Sequence, residues 1–188
     1  MRQQNEIKTF PNLKAVFFDM DGTLFSSEPV LHQAYQKAVA SFNEANNNNI
    51  PVPELEDILH YVGQPASVIF AGLFPQLSEE QRRELNQYSL ANLCTAIEQG
   101  GGILYEGVKP LLSQIQKNGL ATFVASNGRQ NYLEAIIQGF NLQEYFPELI
   151  TIESKGVSSK AEIILNTIAQ KNLSQEEAVM VGDRDSDI

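Results

Sequence analysis

The spacing of apolar residues changes twice along the chain, and the changes divide it. Ala15-Val16-Phe17-Phe18 is an uninterrupted apolar run, which predicts a strand buried on both faces, as in a parallel sheet. Past Thr23 the texture becomes helical. Ser26-Ser27-Glu28-Pro29 reads as a helix start, with a Ser cap and Pro in the first turn. Val30, Leu31, Ala34, Tyr35, Ala38, Val39 and Phe42 then recur at helical spacing. A polar break at Asn46 to Asn49 predicts a loop, and two shorter helices follow at 53–62 and 65–74. Ser78-Glu79-Glu80-Gln81 matches a capping box. It opens a long helix carrying Leu85, Tyr88, Leu93 and Ile97, which Gly100-Gly101-Gly102 stops.

Strand and helix then alternate. Gly107-Val108-Lys109-Pro110 begins a helix through Asn118 with Gly119 as its C-cap. Strands are predicted at 120–125, 149–152 and 178–181, and helices at 129–139 and 158–171. Strands separated by helices of about a dozen residues imply right-handed crossovers and a parallel sheet. The fold class is therefore α/β, a Rossmann-like parallel-sheet core assembled from residues 1–25 and 103–188. An all-helical block, 26–102, is inserted as a second, smaller domain.

Composition narrows the partners. A chain of 188 residues with 43% hydrophobic and 19% charged positions is ordinary for a globular protein. No apolar run is long enough to span a membrane, and the first residues lack the apolar core of a signal peptide. Cys94 is the single cysteine, which excludes an intrachain disulfide and fits a reducing cytoplasm. Its helical register beside Leu93 and Ile97 makes it buried filler. A net charge of −10 argues against nucleic acid as a partner. An anionic substrate stays possible, because repulsion is screened within roughly 8–10 Å at physiological salt, and local cations decide binding.

The candidate chemistry begins where the first strand stops, at Asp19-Met20-Asp21-Gly22-Thr23. Asp is disfavoured in strands, and ligands bind at the C-terminal ends of parallel strands. Two carboxylates one residue apart suit a nucleophile and a proton shuttle. Gly22 permits a tight turn that brings backbone N–H groups to an anion. A plain turn and a calcium loop are the competing readings. The calcium loop lacks its sixth-position Gly and its closing Glu. Ser126-Asn127-Gly128, closing the strand at 120–125, offers a hydroxyl and backbone N–H groups for a phosphate, though Ser-Asn-Gly alone is also an ordinary loop.

Phe18-Asp19-Met20-Asp21-Gly22-Thr23-Leu24 resembles the signature of the haloacid-dehalogenase-like superfamily, near its phosphoglycolate-phosphatase and β-phosphoglucomutase-like members, and three further motifs follow in order. The resemblance implies a Mg²⁺-dependent phosphatase that hydrolyses a small phosphorylated metabolite through an aspartyl phosphate, with the helical block as a cap over the site. Asp19 would be the nucleophile and Asp21 the acid and base. Gly22, Ser126, Asn127 and a lysine would hold the phosphoryl group. Lys160 is preferred over Lys155 because it starts an amphipathic helix; Ala161 departs from the Pro that often follows. Val179-Met180-Val181-Gly182-Asp183-Arg184-Asp185-Ser186-Asp187 resembles the fourth motif. Asp19, the carbonyl of Asp21, Asp183 and Asp187 would be the metal ligands, with Asp185 facing solvent.

Asp21 favours phosphorus over halide chemistry, because a halide leaves without a proton. Gly63, Gln64 and Arg129 are candidate substrate contacts, Gly63 and Gln64 through a resemblance of Tyr61-Val62-Gly63-Gln64-Pro65 to the substrate loop of such caps. His32 and His60 read as packing or surface residues. Ser26 departs from the family's Asp at that position. Relatives continue past the fourth motif through a helix to another strand, so the resemblance implies that the core's C-terminal unit is missing and that strand 178–181 is an open edge. A sugar phosphomutase on the same scaffold, and a catalytically impaired phospho-acceptor or binding module, are the alternatives.

Overall fold

A computed structural model describes residues 10–151, 153, 157, 159–184 and 187. Strand β1 (Ala15–Phe18) lies at the centre of a three-stranded parallel sheet, between β4 (Ala121–Val124) and β5 (Ala178–Val181). Phe18 is in register with Val124 on one side and Val181 on the other, so all three chains leave the sheet at one level.

The apolar run of β1 is explained by layers on both faces. Val16 and Phe18 point into a core shared with Leu112 of α5 (Val108–Lys117) and with Leu133, Ile136 and Ile137 of α6 (Gln130–Gly139). Ala15 and Phe17 point the other way, onto Ile163 and Ile168 of α7 (Lys160–Gln170). The period-two alternation of a strand thus buries every side chain, and no polar residue is tolerated.

Helices α1 (Glu28–Asn46), α2 (Leu55–Tyr61), α3 (Ala66–Leu73) and α4 (Glu79–Glu98) form the inserted block. They enclose an apolar core of their own, built on Leu31, Tyr35, Val39, Phe42, Ile58, Phe70, Phe74 and Leu85. The Ser78 capping box forms as expected, with Gln81. Helix α4 packs against α1 and α3 on one side and against α6 on the other. It ties the block to the sheet layer.

Three details differ from the expectations. The block is not purely helical at its root: β2 (Phe25–Ser26) and β3 (Ile103–Leu104) pair antiparallel where the chain enters and leaves it. Two-residue strands carry no alternation to read. The strand expected at 149–152 is reduced to one bridge, between Leu149 and Val124; Ile152 lies outside the described residues. Ser27 stands at the N-cap of α1 but its side chain does not cap the helix, because its hydroxyl is engaged elsewhere.

Candidate active site

The sheet register brings three loop starts together. The Asp19 N–H donates to the Val181 carbonyl (2.9 Å), and the Ala125 N–H to the Phe18 carbonyl (2.8 Å), so the ladder continues one residue past the strands. Asp19, Ser126 and Asp183 therefore emerge side by side. Asp19 is only 2% exposed. Its Oδ1 lies 2.9 Å from Lys160 Nζ, while Oδ2 is buried with no hydrogen-bond partner among the described residues. Burial raises its pKa above the ordinary carboxylate value, and Lys160 opposes that shift.

Lys160 is held by its own helix. The Ser159 hydroxyl accepts the Glu162 N–H (3.2 Å) and caps α7, which fixes Lys160 in the first turn. The ammonium is buried between two carboxylates, donating to Asp187 Oδ1 at 2.5 Å as well as facing Asp19. Asp187 Oδ2 accepts the Arg184 N–H at 3.0 Å. Lys155 and Asp185 lie outside the described residues.

Asp21 occupies a different environment two residues on. The Tyr132 hydroxyl, from α6, donates to Asp21 Oδ1 at 2.5 Å, and the Ser27 hydroxyl bonds to both Asp21 and Tyr132. Burial pushes the Asp21 pKa up to about 6; the Tyr132 and Ser27 bonds pull against this, and the neighbouring Asp19 and Asp183 charges add to it. No local sequence pattern marks Tyr132 as functional. It lies in a helical pattern with Leu133 and Ile136, indistinguishable from core, and its partner is 111 positions away.

Gly22 makes the tight turn expected of it. Its own N–H donates to the Phe25 carbonyl at 3.0 Å, so this amide serves the turn itself. The residue matters through its missing side chain and its φ of +86°: a Cβ there would lie 2.4 Å from Asp183 Oδ2. Gly182 makes the same kind of room, since a Cβ would lie 2.1 Å from Asp187 Oδ2. Two glycines thus admit two carboxylates beside Asp19.

One carboxylate oxygen from each of Asp19, Asp183 and Asp187 lies within 4.8 Å of the other two. An all-oxygen set drawn from three carboxylates fits a hard divalent cation such as Mg²⁺.

Opposite this cluster, the Ser126 hydroxyl accepts the Gly128 N–H at 3.1 Å, which leaves its own O–H to donate. Asn127 turns its side chain toward the helical block, donating from Nδ2 to the Gly63 carbonyl at 3.1 Å. The Arg184 side chain also meets that loop, its Nε 2.8 Å from where a Gly63 Cβ would be. Arg129 lies 3.6 Å from Glu153. Asp21, Ser126, Asn127 and Arg129 line a cleft of about 760 Å³, open solvent at its mouth included, together with Gly63 and Gln64 of the helical block. The residues picked from sequence therefore fall into two groups: Asp19, Lys160, Asp183 and Asp187 in the cluster, and Asp21, Gly63, Gln64, Ser126, Asn127 and Arg129 around the cleft.

This arrangement has relatives. The tyrosine-protein kinase PtkA of Mycobacterium tuberculosis is 27% identical over 175 residues, covering 92% of this chain. The chain spans only 56% of that relative's length. A phosphoglycolate phosphatase of Aliivibrio fischeri is 26% identical over 186 residues, covering 95% of this chain and 79% of its own. In three dimensions, the crystal structure of a predicted phosphoglycolate phosphatase from Haemophilus somnus shares the fold, with a TM-score of 0.79 at 20% identity over 94% of this chain and 80% of that one. The haloacid dehalogenase-like hydrolase family matches residues 13–188, nearly the whole chain. With its α/β core and its four motifs in order, the chain belongs to the haloacid dehalogenase-like hydrolases.

Proposed function

We propose that the protein is a Mg²⁺-dependent phosphatase acting on a small phosphomonoester, with Asp19 as nucleophile and Asp21 as acid and base, and with the helical block as a cap over the site. The observation that carries this reading is the asymmetry of Asp19: one oxygen is anchored by Lys160, and the other is buried without a hydrogen-bond partner among the described residues. A buried carboxylate oxygen left unpaired is costly, and it is what an attacking group needs. The phosphatase names among the relatives support the same class.

In the first step an Asp19 oxygen forms a bond to phosphorus as the ester P–O bond breaks. The departing alkoxide takes its proton from Asp21. With a pKa of about 6, roughly a tenth of Asp21 is protonated at pH 7, enough for a shuttle that must also accept a proton. In the second step water attacks phosphorus, its proton returns to Asp21, and the Asp19–phosphorus bond breaks to release phosphate. Tyr132, donating to Asp21 Oδ1, and Ser27 hold the Asp21 carboxyl in place beside the cleft. Lys160 offsets the charge on Asp19 and on the phosphoryl oxygens, and Ser126 donates to one of them.

Asp19, the Asp21 carbonyl, Asp183 and Asp187 would hold Mg²⁺, which when bound stabilises the charge building on the phosphoryl group.

p-Nitrophenyl phosphate in the presence of Mg²⁺ tests the proposal. Its leaving group departs without a proton, so Asp21→Asn should still be phosphorylated but hydrolyse the intermediate slowly. A burst of nitrophenolate and a mass increment of one phosphoryl group are expected. Neither should occur with Asp19→Asn. A phosphorylated Asp19→Asn protein would overturn the assignment.

A further inference from the structure

Resting on that phosphatase reading, we infer that the leaving group of the substrate is uncharged and largely apolar, and that it is buried in a recess running from Asp21 into the helical block. The cleft does not end at the strand termini. It continues between α1, α2, α3 and α4, where Leu31, Ile58, Val62, Ile69, Phe70 and Leu90 line it. The polar groups there are neutral: Asn86, Gln64, and a Tyr35–Ser89 pair that bond each other. Along the whole lining, among the described residues, the charged side chains are Asp21 and Arg129. Asp21 belongs to the phosphate end. Arg129 is at the Ser126 loop and faces Glu153.

Among the described residues, the stretch of the recess between α1, α2, α3 and α4 therefore carries no cation; the arginines near the lining are Arg129, at the Ser126 loop, and Arg184, beside Gly63. A phosphoryl group at Asp19 would direct the rest of a monoester past Asp21 into this space. A carboxylate carried there would leave water for largely aliphatic walls with neutral amides but no cation to pair with, which is unfavourable. A hydrocarbon body gains instead, at roughly two- to fourfold in binding for each methylene removed from water. The neutral amides of Asn86 and Gln64 suit a hydroxyl or carbonyl on that body. This chemistry differs from that of a phosphorylated hydroxy acid such as 2-phosphoglycolate, the substrate in the names of several relatives.

Two ligand series test this with the unaltered protein. Across methyl, ethyl, n-propyl and n-butyl phosphate, kcat/KM should rise roughly two- to fourfold per methylene, with 2-phosphoglycolate below n-propyl phosphate. The leaving alcohols beyond ethyl have nearly constant acidity, so the trend reports binding. The second series contains no ester to hydrolyse. By calorimetry with Mg²⁺, n-butylphosphonate should bind at least about tenfold more tightly than 3-phosphonopropionate, which matches it in length but ends in a carboxylate. If no ester turns over while the phosphonates keep this order, the phosphatase reading falls and the recess stands. A flat ester series, or a preference for 3-phosphonopropionate or 2-phosphoglycolate, overturns the recess. Leu90→Lys, which places a cation in the wall, should reverse the order.

Discussion

Strands β1 and β5 run in the same direction, in register, and each ends in acidic residues, yet the molecule treats them differently. All four residues of β1 are buried and it is hydrogen-bonded on both sides. β5 is bonded to β1 alone among the described strands; its first three residues are half-buried and Val181 is 39% exposed. Asp19, after β1, is enclosed, and Asp183, after β5, is exposed. A nucleophile must be held in one place and shielded from water, whereas a cation ligand tolerates solvent because the ion keeps several waters anyway. The burial difference matches the difference in proposed chemistry.

The largest effect expected from this contrast is at Asp19. Asp19→Asn keeps the shape and removes the attacking oxygen, so turnover should fall by about 10⁴ or more. Stability should not fall, because the carboxylate is already penalised by burial. Phosphate release and thermal melts on one preparation measure both. A variant retaining a tenth of wild-type activity would refute the nucleophile assignment.

Lys160 joins the two ends, since it faces Asp19 and Asp187 together. Lys160→Ala leaves two buried carboxylates facing each other. Breaking a buried pair in this way costs about 3–5 kcal/mol, a drop in Tm on the order of 10 °C for a domain of this size. The loss should shrink when Mg²⁺ is added, because a cation between the acids replaces part of the missing charge. A Tm change under about 2 °C without metal would show that the pair is not a structural link.

Asp21 tests the β1 end through pH. Its folded pKa is raised from 3.8 to about 6, so the folded state binds the proton more tightly than the unfolded chain does. Its favourable contribution is complete below pH 3.8 and is lost as pH rises through about 6. At pH 8, in chelator, the ionised carboxylate costs on the order of 2–3 kcal/mol, and Asp21→Asn should recover much of this. The variant's Tm advantage should grow between pH 4 and pH 7 while its turnover is impaired. An advantage independent of pH would place the gain elsewhere.

The same contrast explains what could be read from sequence. The placing of Asp19, Asp21, Ser126 and Asp183 at the ends of strands is legible, because each lies within three residues of a predominantly apolar run. Lys160 was legible from the helix it starts. Tyr132 and Ser27 were not, because their roles come from a contact between α6 and the turn after β1 that leaves no local pattern. At Ser26-Ser27 the capping signal is met by Ser26, whose Oγ accepts the Glu28 N–H at 3.3 Å, while tertiary contact with Asp21 engages the Ser27 hydroxyl. The run Leu149-Ile150-Thr151-Ile152 has strand composition, yet the described residues make one bridge. Composition cannot tell a strand from an apolar loop that packs beside one.

The mildest effect separates the two ends most directly. Asp183 is exposed and, apart from its neighbours in the acidic cluster, makes no ion pair or side-chain hydrogen bond among the described residues. Asp183→Asn should therefore leave stability in chelator within about 0.5 kcal/mol of wild type, unlike any change at Lys160. Its cost should appear as a Mg²⁺ requirement, with half-saturation raised about tenfold or more, while turnover at high Mg²⁺ recovers much of its loss. Asp19→Asn should show no such recovery at any Mg²⁺ concentration. Titrating Mg²⁺ against the activity of both variants decides the matter. If Asp183→Asn is inactive at every concentration, or melts well below wild type in chelator, then the exposed end is as tightly built into the chemistry or the fold as the buried one, and burial is not what distinguishes them.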